Sequence, residues 1–186
     1  MENTPQAKVP VFIWVVIVAI LAAMYGYAAY WDPTRPEQTV KNFYHAYFNQ
    51  DYDTVASDLS VVWAVRLLPQ YADTNYSELL ANRGEIEKEL RQVFSEVGST
   101  YNAPKDISLE IMKPYTKEGT NSAMVVCKFK VKSEEAGMDF VILIKEQGRF
   151  RIYNTTTVDE QSLPEIEAID INELDANFAE LLTASE

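Results

Sequence analysis

The segment Val9–Trp31 constrains this chain more than any other: 23 residues pass without one Asp, Glu, Lys, Arg or His, between Lys8 and Asp32. As a helix it would rise roughly 34 Å at about 1.5 Å per residue, enough to cross the roughly 30 Å hydrocarbon layer of a bilayer. Tyr25, Tyr27, Tyr30 and Trp31 gather at one end and Trp14 lies near the other, the interfacial placement that amphipathic rings favour. A cleavable signal peptide is the alternative, with Gly26-Tyr27-Ala28 as a loose cleavage site, but its apolar stretch usually runs only about 7 to 15 residues. The expectation is an uncleaved transmembrane helix over 9–31 behind a flank of residues 1–8, with the lipid bilayer as its partner. Lys8 before the segment, with Asp32 and Arg35 after it, sets the expected orientation. The N-terminus is then cytoplasmic and the C-terminal domain extracytoplasmic, in a single-pass protein of the cell membrane.

Two prolines, Pro33 and Pro36, frame a stiff connector over 32–35. Thr34 and Glu37 have capping-box spacing, and Val40, Phe43, Tyr44, Tyr47 and Phe48 then recur at helical intervals. Tyr52, Val55, Ala56 and Leu59 continue a helical layer, Val61–Leu68 reads as a further helix stopped by Pro69, and Ser77–Val97 as a longer one broken near Gly84. Beyond Pro104 the period changes from 3.6 to 2. Ile107, Leu109 and Ile111 alternate with polar neighbours, as do Val125, Cys127, Phe129 and Val131, and two more strands follow over 139–146 and 149–157. Turns are expected at 117–121, at 134–137 and at Gln147-Gly148. Helices first and a strand meander after them give an α+β fold, with helices packed on one face of a curved antiparallel sheet.

Residues 40–53 (VKNFYHAYFNQDYD), the hairpin from Ser108 through Val131, and the closing strand with Phe150 and Ile152 two apart resemble the nuclear transport factor 2-like superfamily. The likeness covers 36–157 and implies a cone-shaped domain with a pocket between its opening helix and its sheet. It does not imply a reaction, because one fold hosts many functions. An anchor followed directly by such a domain is also similar in layout to scaffold components of membrane secretion systems.

Charge and rare residues narrow the function further. Of the formal net charge of -12, residues 158–186 carry nine acidic side chains and no Lys or Arg, so this acidic tail holds most of the imbalance. Leu174, Phe178, Leu181 and Leu182 give the tail a helical apolar stripe, expected to dock on the domain or engage a protein partner, including a second copy. No basic footprint exists for nucleic acid. One cysteine, Cys127, and one histidine, His45, cannot make the usual metal-ligand set, so neither metal nor other cofactor is expected. His45 falls off the apolar stripe of its helix and is assigned no catalytic role. Lys128, Lys130, Lys132, Lys145, Arg149 and Arg151 suggest a basic stripe on the outer sheet face.

Tyr44, Tyr47, Asp51, Asp139 and Tyr153 are the candidate pocket residues: hydroxyls and carboxylates at the ends of elements that converge on the cone. Core tyrosines with wet tips, and aspartates as caps and turns, account for the same residues without chemistry. The expected function is a non-catalytic binding or protein-interaction module. The alternatives are an isomerase or dehydratase working with carboxylate and tyrosine groups, and a scaffold subunit of a membrane or secretion complex.

Overall fold

The computed structural model describes residues 35–98 and 106–183, together with Val16, Val18 and Ile20. Contacts separate Met1–Pro33 from Thr34–Glu186, and the fold below is that of the second unit. Its first half is helical: α1 (Pro36–Phe48), α2 (Tyr52–Asp58), α3 (Val62–Leu67), α4 (Tyr76–Ala81) and α5 (Arg83–Gly98). Its second half is a sheet of β1 (Ile107–Ile111), β2 (Lys117–Glu118), β3 (Ser122–Val131), β4 (Glu134–Glu146) and β5 (Arg149–Val158), closed by α6 (Leu163–Ala168) and α7 (Ile171–Thr183).

All strand pairs are antiparallel, in the order β1-β3-β4-β5, with β2 pairing β3 beside β1. Two irregularities bend the sheet. One falls at Phe129/Lys130 on β3, the other between Ile142 and Leu143 of β4, which pair with Asn154 and Ile152 and so leave Tyr153 as an extra residue on β5. An extra residue sharpens the local twist and reverses which side chains face in. Ile152 faces the core, and past the bulge the inward positions of β5 pass to Thr155 and Thr157. The β3–β4 turn lies at Lys132-Ser133, both with positive φ, and not at 134–137 as the glycine-bearing sequence suggests; Gly137, at φ 142°, sits within β4 beside the first irregularity.

Helix boundaries follow local chemistry. Asp51 caps α2 by accepting from the Thr54 N–H, and Asn75 caps α4 by accepting from the Glu78 N–H. The break expected near Gly84 falls at Asn82, between α4 and α5. Gly98 ends the described part of α5 where the Tyr52 ring leaves no room for a Cβ, which lets α2 and α5 pack closely. The main core joins Val40, Phe43 and Tyr44 of α1, Val55 of α2 and Ile86 and Leu90 of α5 to Val125, Cys127, Val141, Leu143, Phe150 and Ile152 of the sheet.

The opposite sheet face is covered as well. Met124 and Val126 are fully buried against Leu163 and Ile166 of α6. Asp175 of α7 accepts from the Asn121 N–H at 2.6 Å and from the Ser122 N–H at 2.8 Å, and the Lys117 ammonium donates to the carbonyls of Glu167 and Ile169 at 2.5 and 2.8 Å. Gly119 lies under Asp175, where any Cβ would collide with the carboxylate. The 117–122 turn thus grips the acidic segment at two points, while Phe178 enters the main core.

The sequence reading requires correction at its start. Among the described residues no helix is long and apolar enough to cross a membrane. A span needs about 20 consecutive apolar residues; the longest described helix, α5, carries Arg83, Glu85, Glu87, Lys88, Glu89, Arg91 and Glu96. The segment 9–31 lies outside the described residues apart from Val16, Val18 and Ile20. The described residues form an α+β fold with a curved antiparallel sheet, and no membrane-spanning helix is among them. The basic stripe is also broken up: Arg151 is buried, Lys128 pairs with Glu135 at 2.7 Å, and Lys130 pairs with Glu110 at 2.6 Å.

Candidate functional site

Helical spacing on α1 turns Phe43, Tyr44 and Tyr47 toward the sheet. There they meet Asp139 of β4 and Thr155 of β5, and with Leu59, Trp63 of α3 and Phe94 of α5 they line a half-open cavity of about 200 Å³. Asp139 is the one charged side chain among its described lining residues. The Tyr44 hydroxyl donates to Asp139 Oδ2 at 2.6 Å, and the Thr157 hydroxyl donates to Oδ1 at 2.9 Å. Rings support the tyrosine on two sides: Phe43 at 5.1 Å and Phe129 at 4.9 Å, both edge to face. Burial, reinforced by Cys127 and Asp139, drives the Tyr44 hydroxyl pKa far above the ordinary phenol range, so its proton stays in place.

Cys127 lies alongside. Its thiol donates to the Asp139 carbonyl at 3.7 Å, and burial, with the Asp139 charge second, pushes its pKa up to about 12. A thiol so held is a poor nucleophile. Iodoacetamide at pH 8 is expected to leave Cys127 of the folded chain unlabelled over hours and to label it fully in urea; mass spectrometry of the native protein reads the difference, and rapid native labelling would contradict the packing.

Three of the five expected pocket residues, Tyr44, Tyr47 and Asp139, come together. Asp51 does not: it is an exposed cap, its pKa lowered by the Thr54 hydroxyl and backbone hydrogen bonds. Tyr153 is the bulge residue and packs instead on Phe178, with ring centroids 4.8 Å apart, and under the Arg66 guanidinium. His45 is exposed beside Asn49, on a separate open groove of about 480 Å³ with Lys41, Phe48 and Leu109. Trp63, Phe94 and Thr155 escaped the sequence reading; the aromatic residues were legible only as core, and Thr155 turns inward only because of the bulge.

A second group of ionisable residues lies buried at the other end of β4. Glu146 is fully buried; its Oε1 accepts from the Ser60 hydroxyl at 2.5 Å and the Tyr76 hydroxyl at 2.9 Å, and its other oxygen pairs with the Arg83 guanidinium. Close by, Asp58 Oδ2 and Arg151 Nε are buried without hydrogen-bond partners. Burial raises the Asp58 pKa to about 6 against the pull of Arg151 and Arg149, with Asp51 and Glu87 adding to the rise. Burial, with Arg83 second, lowers that of Arg151 to about 10.

The Asp58 shift has a definite sign. The folded chain holds this proton more tightly than the unfolded chain, so the contribution of Asp58 favours folding below its ordinary value of 3.8 and is lost as pH rises toward 6. At about 1.4 kcal/mol per pKa unit, Asp58→Asn is expected to stabilise the protein by roughly 1–2 kcal/mol at pH 7, after allowance for partial solvation, and by much less at pH 4. Urea unfolding at the two pH values measures this; an equal effect at both would contradict it. No group of three or more His, Cys, Asp or Glu among the described residues is placed to hold a metal ion.

Comparison with known proteins assigns no family. No family model and no curated protein matches the chain. Two solved structures share a distant likeness. One is a SEC-C motif containing protein from Rhodopseudomonas palustris, at 15% identity and TM-score 0.37, covering 67% of this chain and 79% of that one. The other is a Campylobacter jejuni protein described as an NTF2-like transpeptidase, at 16% identity and TM-score 0.38, covering 65% and 99%.

Proposed function

We propose that this chain is a non-catalytic binding module of nuclear transport factor 2-like architecture, with its ligand seated in the aromatic pocket between α1 and the sheet. The observation that carries the reading is the double hydrogen bond to Asp139. Both carboxylate oxygens already accept from Tyr44 and Thr157, and Tyr44 keeps its proton, so the pair is built to hold a charge in place more than to move a proton. General acid–base work on an isomerase or dehydratase substrate needs a group whose pKa lies near working pH and within reach of the reacting atom. At about 200 Å³, below the roughly 300–1,000 Å³ of drug-sized sites, the cavity limits the ligand to a small molecule.

A panel of small polar and apolar fragments, screened by thermal shift with the full chain, tests the reading. Fragments are expected to raise the midpoint of the natural protein but not of Thr155→Met, which fills the pocket from β5, and to be recovered chemically unchanged. Consumption of any of them, abolished in Asp139→Asn, would establish the enzyme alternative instead.

A further inference from the structure

We propose that the pocket selects a small organic ammonium cation, an inference that rests on the binding reading above and gives its ligand a chemical class. The walls decide the sign of the charge. Five of the eight described lining residues are aromatic: Phe43, Tyr44, Tyr47, Trp63 and Phe94. Aromatic faces carry negative electrostatic potential and attract a cation within about 6 Å of the ring centre. Asp139 adds a carboxylate, and no Lys, Arg or His lines the cavity among the described residues. An anion would meet a carboxylate and aromatic rings, with no positive side chain among the described lining residues.

Hydrogen-bond capacity argues against a neutral polar ligand. A buried amide or carbonyl needs donors, yet the Tyr44 hydroxyl is committed to Asp139 and the Trp63 indole N–H to the Ile152 carbonyl at 2.9 Å. Each carboxylate oxygen of Asp139 offers further lone-pair directions beyond the bond it accepts, so the wall keeps acceptor capacity beside two donors that are already committed. A methylated ammonium group fits that imbalance: it brings positive charge, requires no acceptor for its methyl groups, and buries apolar surface against the rings. The region already hosts one such contact, since the Arg66 guanidinium lies 5.3 Å from the Trp63 ring centre and 5.2 Å from that of Tyr153. At long range the formal net charge of -12 raises the local concentration of cations around the protein.

The test compares three probes of similar shape on the full chain by titration calorimetry: choline, its neutral carbon isostere in which a quaternary carbon replaces the nitrogen, and the trimethylacetate anion. Choline is expected to bind saturably and at least ~10-fold more tightly than the isostere, the magnitude a desolvated cation–π site supports. Trimethylacetate is expected not to bind, and Asp139→Asn to remove most of the preference for choline. The comparison of choline with its isostere on the natural protein stands alone if that variant does not fold. An isostere that binds within about two-fold of choline would overturn selection by charge and leave the binding reading intact. Absence of saturable binding by all three probes, with the Tyr44 and Trp63 ring resonances unmoved, would overturn this inference, and the binding reading would then stand or fall on the fragment panel.

Discussion

Glu146→Ala is expected to lower the stability of the folded chain by about 3–5 kcal/mol, the cost of breaking a buried ion pair from one side. The side chain is fully buried and gathers the Ser60 hydroxyl, the Tyr76 hydroxyl and the Arg83 guanidinium, with the Val61 N–H at 3.3 Å. Its loss takes the closest counter-charge from the buried Arg83 guanidinium, which keeps only Glu87 at 3.0 Å and the Leu59 carbonyl, and removes the acceptor of the Ser60 and Tyr76 hydroxyls. Arg83→Leu is expected to fall in the same range by stranding the carboxylate. The double variant Glu146→Leu with Arg83→Leu should cost far less than the two single changes together, because apolar replacement of both charges removes the desolvation penalty along with the attraction. Urea unfolding of the natural protein, Glu146→Leu, Arg83→Leu and the double variant gives the coupling directly; additive losses would mean that the two groups do not act as a pair.

Phe178→Ala carries the second large effect, about 3 kcal/mol or more for truncating a buried phenylalanine. Phe178 is 6% exposed and meets Tyr153 edge to face, with a centroid separation of 4.8 Å. A tail that merely solubilises the chain would lose nothing at this position. Because α7 enters the main core, the variant is expected to lower the unfolding midpoint of the whole Thr34–Glu186 unit and to speed amide exchange in Ile171–Thr183. A change confined to exchange within α7, at unaltered global stability, would instead make the helix a separate cooperative element.

The sequence makes the tail's apolar stripe visible but not its partner. The contacts are Lys117 on two carbonyls, backbone N–H groups on Asp175, Leu163 and Ile166 against Met124 and Val126, and Phe178 in the main core. α1 is legible because one period of 3.6 governs its inward residues, and the sheet because apolar and polar residues alternate along β1 and the second half of β3. Alternation fails where registers slip. Phe150 and Ile152 face inward, and plain alternation does not show where Tyr153 goes: the extra residue on β5 sends Tyr153 toward Phe178 and brings Thr155 and Thr157 to Asp139.

Glu146 was invisible for a different reason. A charged residue next to the Gln147-Gly148 turn reads as solvated, and its partners Ser60, Tyr76 and Arg83 lie 86, 70 and 63 positions away. Only the tertiary fold, which brings the Ser60 loop and the α4–α5 region over the end of β4, turns that position into interior. Tyr44 and Asp139, 95 positions apart, are legible separately, the tyrosine from the apolar stripe of its helix and the aspartate as a carboxylate at the end of an element; their hydrogen bond is not.

The claim that binds these observations together is that a ligand sits among Tyr44, Tyr47, Trp63 and Asp139. Intermolecular nuclear Overhauser effects between the methyl protons of choline and the full chain test it most directly. Cross-peaks are expected to the ring protons of Tyr44, Tyr47 and Trp63, all lost in Thr155→Met. Cross-peaks confined to the open groove of His45, Phe48 and Leu109, with the cavity rings silent, would contradict it.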